Sequence, residues 1–326
     1  MYDKFRSEAA KRHGDGVVFL MSDGAHFDVD VVSTGSLSLD IALGIGGLPL
    51  GRVVEAAGNA GSGKTTLALH VVANAQRMGL GVVYIDAECA LDVNYASTIG
   101  VDVDSLLISQ PDYGEQALDI AEIAIRDEDI GVVVIDSVAA LVPKMELDGE
   151  AGDAFIGLQA RMMSQAMRRL SGAIKKSNTL VLFINQYRQK VSTMGYGGNK
   201  TTPGGVSLSY YSSVRLDVAR IQTLGRDTAT PFAQKTRVTV IKNKLAPPHR
   251  KAEFEIEFGT GVSFELDVLD LAIKHKLIER RGSWYKSDEY SMSAQGRSGA
   301  KMFLQEHPEV TEDLVRQIKQ LEGVSE

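Results

Sequence analysis

The sequence predicts an α/β fold built on a mostly parallel central sheet, and two observations predict it. Four continuous apolar runs are typical of strands buried on both faces, and they cover Arg52–Ala57, Gly81–Asp86, Gly131–Asp136 and Leu180–Asn185. Stretches with helical spacing lie between or beside these runs, at Thr65–Met78, Gly114–Arg126 and Leu158–Lys175. Such alternation favours parallel strands, because parallel neighbours need a crossover connection.

The later strands of the core are more polar than the first four. They are predicted at Ser213–Val218, Thr236–Lys244 and Ala252–Glu257. Their apolar and polar residues alternate, which is typical of strands with one solvated face, so we expect antiparallel additions to the sheet. The core as a whole is predicted to cover residues 34–266.

Smaller predicted pieces flank this core. Residues 1–33 are predicted to form an N-terminal arm, with a helix over Tyr2–Arg12 and a strand over Val17–Met21. Residues 267–326 are predicted to form a small α/β domain. Its expected elements are a helix near Val268–His275, a strand near Ser283–Lys286 and helices from about Gly299 onward.

The composition excludes several classes of protein. With 326 residues, 44% hydrophobic and 24% charged, the chain has the make-up of a soluble globular protein. It has no run of 18 apolar residues, and its N-terminus lacks the apolar segment of a secretory signal, so no membrane partner is expected. Cys89 is the one cysteine, and the six histidines lack metal-ligand spacing. A zinc site is therefore disfavoured, and a cytoplasmic location is predicted.

Charges are strongly segregated along the chain, although the net charge is only −7. Residues 85–153 contain 17 acids and two basic residues, whereas residues 154–216 contain nine Lys or Arg and no acid. This pattern predicts a basic surface for a polyanion such as nucleic acid. From charge alone, a solvated helix face followed by a loop explains the pattern equally well.

A contiguous motif predicts a phosphate site. Residues 58–65 match G-x-x-x-x-G-K-[ST] between a predicted strand and a predicted helix, a context that disfavours a chance match. The glycines let the backbone wrap around phosphates, and the helix N-terminus adds N–H donors. Lys64 is predicted to bridge the β- and γ-phosphates of ATP, and Thr65 to bind Mg²⁺. The predicted nucleotide-binding residues here are Gly58, Asn59, Ala60, Gly61, Ser62, Gly63, Lys64, Thr65 and Thr66.

Three polar residues lie at or just after the ends of other predicted central strands. Asp136 ends an aliphatic run, where a carboxylate can hold Mg²⁺ beside a phosphate loop. Glu88 is placed to orient or deprotonate the attacking water, although an ordinary solvated acid fits its spacing as well. Gln186 carries a neutral amide that could sense the γ-phosphate.

Beyond these residues, the sequence resembles the RecA family of bacterial homologous-recombination ATPases. The resemblance runs from about Val17 to Glu322 and rests on many blocks that occur in the family's order. It implies a P-loop NTPase core of RecA type, ATP-bound helical filaments on single-stranded DNA, a homology search in duplex DNA, and strand exchange. The blocks are STGSLSLDIALGIGGLPLGRVVE, YIDAECALDVNYA, VIDSVAALVPK, GLQARMMSQAMRRL, FINQYRQK and VIKNK.

The resemblance also implies roles around the nucleotide. Glu88 matches the family's catalytic glutamate, and Gln186 matches the glutamine that links the γ-phosphate to a DNA-binding loop. Asp92 and Tyr95 match an adenine-contacting aspartate and a stacking tyrosine. Phe258 takes a place often held by a second adenine-stacking tyrosine, so the ring is kept and the hydroxyl is lost.

Assembly is implied by two further segments. Lys242 and Lys244 match a pair that reaches the ATP of the neighbouring subunit, so hydrolysis is expected to require the filament. Without the resemblance, we would interpret them as lysines that protect an exposed edge strand. The arm, residues 1–33, is expected to add its strand to the neighbour's sheet edge.

Two segments are expected to bind DNA. Residues 187–206 resemble the second DNA-binding loop of the family, and about residues 150–158 resemble the first. Glycines and small polar residues suit a segment that folds on binding, although a disordered linker is the simpler alternative. Contacts to phosphates and bases are expected from Arg188, Lys190, Met194, Tyr196, Gly204 and Gly205, and from Arg161, Ser164 and Arg168 on the following helix.

Other functions and partners stay open at this point. A ring-shaped helicase or another DNA motor could use the same ATPase core. The filament could also act as a co-protease scaffold that triggers self-cleavage of a repressor. A repressor and single-strand-binding or loader proteins are therefore candidate partners besides DNA and the chain itself. The short chain also fits a phage-encoded version.

Overall fold

The computed structural model describes residues 2–20, 29–150, 155, 157–189, 200–225 and 230–324. The chain forms two compact units, Met1–Asp30 and Val31–Glu326. The first unit contains helix α1 (Asp3–His13), whose Arg12 side chain pairs with Glu8 at 2.6 Å. The strand predicted over Val17–Met21 is wrong for its described residues 17–20, which form bends and irregular backbone. Apolar residues alone do not make a strand, since a strand also needs a ladder of hydrogen bonds to a second strand.

The second unit begins with the elements that surround the phosphate motif. They are β1 (Val31–Val32), α2 (Leu37–Leu43), β2 (Leu48–Pro49), β3 (Val53–Gly58), α3 (Lys64–Arg77), β4 (Gly81–Asp86), α4 (Val93–Ile99), β5 (Leu107–Ser109), α5 (Gly114–Arg126), β6 (Ile130–Asp136), a 3₁₀ turn (Val138–Ala140), α6 (Lys144–Leu147), α7 (Leu158–Ile174) and β7 (Leu180–Gln186).

The remaining elements complete the sheet and build the C-terminal part. They are β8 (Arg188–Gln189), β9 (Lys200–Thr201), α8 (Ser207–Tyr211), β10 (Val214–Gly225), β11 (Pro231–Asn243), β12 (Lys251–Glu257), β13 (Gly261–Val262), α9 (Phe264–Lys274), β14 (Glu279–Arg281), β15 (Trp284–Ser287), β16 (Met292–Gln295), α10 (Gly296–Glu306) and α11 (Pro308–Glu322).

Nine of these strands form the central sheet, in the order β13-β12-β11-β10-β3-β7-β6-β4-β5. Neighbours from β10 to β5 run parallel, and β11, β12 and β13 join antiparallel. The predicted α/β fold with a mostly parallel sheet and antiparallel additions is confirmed. Because Gly58 pairs with Gln186 and Asp86 with Asp136, the carboxyl ends of these strands meet at one edge. That register brings distant polar residues together.

Helices cover both faces of this sheet. Alternate residues of β6 point to opposite sides, so Val134 packs in a cluster with α3 and Val133 in a cluster with α5 and α7. The predicted core stripe of α7 is confirmed, because its apolar residues are buried; they are Met162, Met163, Ala166, Met167 and Leu170. In the described part of the chain, no helix has the length and apolar content needed to cross a bilayer.

A third apolar cluster joins the C-terminal helices to the core. Helix α9 begins at Phe264, four residues before the predicted start, and Phe264 itself packs against the cluster. Leu37 and Ile41 of α2 are members of the same cluster. The Asp267 carboxylate also accepts a hydrogen bond from the Ser36 hydroxyl at 2.7 Å. The C-terminal part is thus held by apolar packing and by a buried polar contact.

Candidate functional site

The phosphate motif forms a tight turn between β3 and α3. Gly61 and Gly63 have φ angles of +67° and +98°, a backbone region that glycine adopts without strain. A Cβ atom at Gly63 would also collide with Ile256 of β12. The Ser62 hydroxyl is buried and has no hydrogen-bond partner among the described residues. A loop of this shape, in front of a helix N-terminus, is suited to accept phosphate oxygens.

Lys64 directly follows this turn as the first residue of α3. Its Nζ donates to the Asn59 carbonyl oxygen at 2.8 Å, and its side chain is buried. Burial lowers the pKa of Lys64, whereas the nearby carboxylates Asp136 and Glu88 act in the opposite direction. An ammonium group that is poorly solvated and close to the loop backbone is well placed to bind an anion.

Asp136 is held by two hydroxyl groups at the end of β6. Its Oδ2 atom accepts from Thr65 Oγ1 at 2.8 Å and from the Tyr84 hydroxyl at 2.9 Å. Burial raises the pKa of Asp136, and these two hydrogen bonds oppose that rise. Adjacent hydroxyl and carboxylate oxygens are the hard donors that Mg²⁺ prefers, so the residues fit this ion. Sequence reasoning missed Tyr84, although a tyrosine in an aliphatic strand is a usable signal.

Glu88 lies in the turn after β4 and contacts two other strand ends. Its Oε1 atom accepts from Ser137 Oγ at 2.6 Å and from Gln186 Nε2 at 2.7 Å. The structure therefore brings the predicted catalytic glutamate and the predicted γ-phosphate sensor into direct contact. Sequence reasoning missed Ser137, whose position directly after the Asp136 strand end was the available signal.

A cavity of about 300 Å³ opens beside the phosphate loop. Tyr95 and Phe258 both line it, as the adenine prediction requires, and the Tyr95 hydroxyl lies 3.0 Å from Thr66 Oγ1. Asp92 instead caps the N-terminus of α4, where its Oδ1 atom accepts from the backbone N–H of Asn94 at 2.9 Å. The lining residues that the sequence did not indicate are Gln234, Ile256 and Gly259.

The expected second DNA-binding loop is described at its two ends. Arg188 pairs with Thr201 in the short antiparallel ladder of β8 and β9, and the Arg188 side chain is exposed. Farther along, Gly204 and Gly205 have φ angles of +84° and +74°. Their Cβ positions would crowd Val138 and Ala160, so both glycines are needed for close packing. The predicted residues Lys190, Met194 and Tyr196 lie outside the described residues, as does most of the predicted loop 150–158.

Helix α7 presents the other predicted DNA contacts. Arg161 and Arg168 are exposed and Ser164 is half-buried, on the side away from the methionine stripe. Among the described residues, neither arginine has an acidic partner within ion-pair distance. Arg169, in contrast, pairs with Asp119 at 3.3 Å and with Glu122 at 2.5 Å. Arg161 and Arg168 therefore keep their charges available for an anion.

The predicted lysine pair lies at the end of β11. Lys242 Nζ donates to the carbonyl oxygens of Ser209 at 2.7 Å and Tyr210 at 3.1 Å. Burial and then the neighbouring Lys244 charge lower the pKa of Lys242. Lys244 follows the last residue of the strand and is exposed. The Lys242 ammonium group therefore contacts α8 of its own chain, whereas Lys244 is exposed.

Comparison with known proteins identifies the family. A model of the RecA N-terminal domain matches residues 3–263, and a model of the RecA C-terminal domain matches residues 266–322. The chain is 48% identical over 331 residues to Protein RecA of Solidesulfovibrio magneticus, covering 99% of this chain and 93% of that protein.

Two further relatives are equally similar. Protein RecA of Syntrophobacter fumaroxidans is 51% identical over 96% of this chain and 91% of its own length, and Protein RecA of Nitratiruptor sp. is 50% identical over 97% and 91%. The ring-helicase alternative is not favoured by these matches. The chain belongs to the RecA family and is a DNA-binding, self-associating, ATP-hydrolysing recombinase of homologous recombination and DNA repair.

Proposed function

We propose that this recombinase binds ATP and Mg²⁺ in the cavity beside the phosphate loop and couples hydrolysis to DNA held after Gln186. One observation supports this assignment most strongly. Glu88 Oε1 accepts a hydrogen bond from Gln186 Nε2 at 2.7 Å, so the proposed catalytic group touches the residue that directly precedes the DNA segment. A change in the phosphates bound near Glu88 would therefore alter the hydrogen bond between Glu88 and Gln186.

In the proposed reaction, Glu88 acts as the base. Ser137 and Gln186 both donate to its Oε1 atom and orient the carboxylate, and Oε2 can take a proton from the attacking water. Oxygen of that water forms a bond to the γ-phosphorus, and the bond from the γ-phosphorus to the bridging oxygen breaks. Lys64 and the backbone N–H groups of the loop stabilise the phosphate oxygens. When bound, Mg²⁺ held by Thr65 and Asp136 neutralises charge on the phosphates.

The base of the nucleotide is assigned to the outer part of the cavity. Tyr95 and Phe258 line it, and Phe258 leaves 47% of its surface exposed, so its ring is free to cover an adenine. Asp92 lies three residues before Tyr95 and holds the N-terminus of their helix, so we propose that it acts on adenine through the position of that helix as well as by direct contact.

DNA is assigned to the surface shared by α7 and the loop ends. Arg161, Arg168 and Arg188 offer exposed charges, and the exposed Gly205 allows close approach. Gly204 is buried and its N–H already donates to Gln159, so we propose that it acts on DNA through the position of this loop end. Ser164 adds a hydroxyl on the same side of α7. DNA contacts are also proposed for Lys190, Met194 and Tyr196, on the basis of the sequence pattern alone. Contacts of this type read the phosphate backbone and would suit a protein that accepts any sequence.

Assembly is proposed to complete the nucleotide site. Lys242 and Lys244 would reach the ATP of the neighbouring subunit, and the arm, residues 1–33, would bind the neighbour's sheet edge. Strand β5 ends the described sheet, and its Leu107 and Ile108 are 58% and 46% exposed, which supports it as the acceptor. Residues 34–266 and 267–326 are proposed as core and C-terminal domain. A cytoplasmic location, a repressor substrate, and single-strand-binding or loader partners are also proposed.

The assignment of Glu88 is tested by hydrolysis with and without single-stranded DNA. Glu88→Gln should keep ATP affinity within about twofold and lose about 10²–10⁴-fold in turnover, the usual contribution of a general base. Glu128→Gln, at an exposed position before β6 and so at the far end of the sheet, is the matched control. Wild-type turnover in Glu88→Gln would remove Glu88 from this role. A wild-type protein whose hydrolysis ignores DNA would contradict the proposed coupling.

A further inference from the structure

Gln159, in the first turn of α7, makes three hydrogen bonds to backbone groups. Its Nε2 atom donates to the carbonyl oxygens of Val138 at 2.9 Å and Leu141 at 3.1 Å. Its Oε1 atom accepts from the backbone N–H of Gly204 at 3.3 Å. These partners determine the orientation of the amide, since the opposite orientation would place oxygen against two carbonyl oxygens. Gln159 therefore joins two backbone segments that are far apart in the sequence.

One of these segments leads directly to the nucleotide site. Val138 begins the 3₁₀ turn that follows Ser137, and the Ser137 hydroxyl donates to Glu88 Oε1 at 2.6 Å. A displacement of Glu88 with the phosphate state would move Ser137. Because Val138 is the next residue, its carbonyl group would move as well.

The other segment is the far end of the proposed DNA loop. A Cβ atom at Gly204 would lie 3.0 Å from Val138 Cγ1 and 3.2 Å from Met163 Cγ, so this backbone packs closely on the 3₁₀ turn and on α7. The preceding carbonyl oxygen, of Pro203, accepts from Asn185 Nδ2 at 3.3 Å. Asn185 is fully buried, and its Oδ1 atom accepts from the backbone N–H of Gln186 at 2.9 Å. Two adjacent backbone groups are thus held by two amide side chains.

Asn185 is itself held by a buried ion pair. Its Nδ2 atom also donates to Glu55 Oε1 at 3.0 Å, and Glu55 Oε2 accepts from Arg215 Nε at 2.6 Å. Glu55 is only 1% exposed, so this pair is costly to disturb. The hydrogen bond from Asn185 to Pro203 should therefore stay fixed when the nucleotide changes. The hydrogen bond between Gly204 and Gln159 is the one that is linked to Glu88.

We propose that Gln159 is a positioning residue that transmits the nucleotide state from Glu88 and Ser137 to the Pro203–Gly204 end of the DNA segment. This inference rests on the proposed roles of Glu88 and of residues 187–206. It adds a second connection to that of Gln186, which directly precedes the same segment. Both ends of the segment are then linked to Glu88, and a nucleotide that shifts Glu88 changes the position of Gly204 relative to Gln186.

The test compares DNA affinity in two nucleotide states. Fluorescence anisotropy of a labelled oligo-dT measures the dissociation constant with a non-hydrolysable ATP analogue and with ADP. Gln159→Met keeps the length of the side chain and removes all three hydrogen bonds. We expect the ratio of the two dissociation constants to fall on the order of tenfold, as for the loss of two or three neutral hydrogen bonds that differ between states. Gln165→Met, at an exposed position on the same helix, should keep the wild-type ratio.

Three further readouts separate positioning from folding. Nucleotide affinity, DNA-independent hydrolysis and melting temperature should stay close to the wild-type values in Gln159→Met. If that variant unfolds, Gln159→Ala, which also removes the three hydrogen bonds and leaves room for water beside the two carbonyl oxygens, should show the same fall in ratio.

Two outcomes would overturn the inference in distinguishable ways. A wild-type ratio in a folded Gln159 variant overturns it alone, and the roles of Glu88 and the loop stand. A wild-type protein that binds oligo-dT equally well in both nucleotide states overturns the proposed coupling and this inference together.

Discussion

The Lys242 ammonium group lies 2.7 Å from the carbonyl oxygen of Ser209 and therefore binds the last turn of α8 in its own chain. A cation is favourable there, because the carbonyl groups at a helix C-terminus are left without partners. Helix α8 begins two residues after Gly205, so Lys242 contacts the element that follows the DNA segment. To reach a neighbour's phosphate, this lysine has to exchange two carbonyl oxygens for an anion.

A mixing experiment tests whether Lys242 acts in trans. Lys242→Ala and Glu88→Gln should each lose at least about 10²-fold in DNA-dependent hydrolysis when assayed alone, as for a missing trans cation or a missing base. In mixed filaments, some ATP sites between neighbouring subunits have an intact Glu88 from one subunit and an intact Lys242 from the other. Activity should therefore partly return. The same mixture with Lys64→Ala in place of Lys242→Ala should stay inactive, because Lys64 and Glu88 serve the same bound ATP. Equal behaviour of the two mixtures would contradict the trans role.

The two adjacent arginines of α7 provide a matched pair for DNA binding. Arg168→Ala should weaken binding of single-stranded DNA and reduce the slope of log K against log salt by about 0.7, the value for one phosphate. Arg169→Ala should leave the slope unchanged, because Arg169 is already paired with Asp119 and Glu122. Equilibrium titrations at four or more salt concentrations measure both slopes. A similar loss of DNA affinity in both variants would contradict the prediction that the ion pairs of Arg169 keep it from binding DNA.

Phe258 is expected to act on nucleotide affinity and not on chemistry. Phe258→Ala should raise KM for ATP roughly tenfold with kcat little changed, because an aromatic stack on a base, worth about 1–3 kcal/mol, is equal in the ground and transition states. Phe258→Tyr should stay close to wild type, since the ring is retained. Steady-state kinetics with saturating DNA separates the two constants. A fall in kcat with unchanged KM would contradict the stacking role.

A buried carboxyl group gives stability an unusual dependence on pH. Asp40 accepts hydrogen bonds from Ser33 Oγ at 2.6 Å, Thr34 N at 2.9 Å and Thr34 Oγ1 at 2.7 Å, yet burial raises its pKa from 3.8 to about 7. The folded state therefore keeps a proton that the unfolded state releases. Between about pH 4 and pH 7, stability should fall as pH rises, by at most about 1.4 kcal/mol per pH unit. Above this interval both states are ionised, and the contribution is constant.

Asp40→Asn should remove this contribution. The amide oxygen can still accept from Thr34, and the Ser33 hydroxyl can accept from the new NH₂ group, so the packing is retained. Melting temperatures between pH 5 and pH 8 should then fall less steeply than in the wild type. Asp267, whose pKa burial raises to about 6, adds a second contribution that remains in this variant. Asp104→Asn, at an exposed position, is the control. An unchanged slope of melting temperature against pH in Asp40→Asn would contradict a raised pKa of Asp40 in the folded state.

The phosphate loop and the parallel sheet could be predicted from the sequence because their signals are local. Gly61 and Gly63 occur within one short motif, and the four apolar runs mark central strands by composition alone. The methionine stripe of α7 was likewise readable from its spacing. Local patterns were misleading in the arm, where the apolar residues 17–20 do not form a strand. Apolar residues favour burial, but they do not determine whether a second strand is present to form hydrogen bonds with them.

The sequence by itself determined which residues were available at the strand ends, and the tertiary structure decided which of them touch. Glu88 meets Ser137 and Gln186 across separations of 49 and 98 residues, and Glu55 meets Arg215 across 160. Tyr84 and Gln159 gave only weak local signals, and their partners follow from strand register and helix placement. A hydrogen bond requires donor and acceptor within about 3 Å, and for residues far apart in sequence only the packed fold sets that distance.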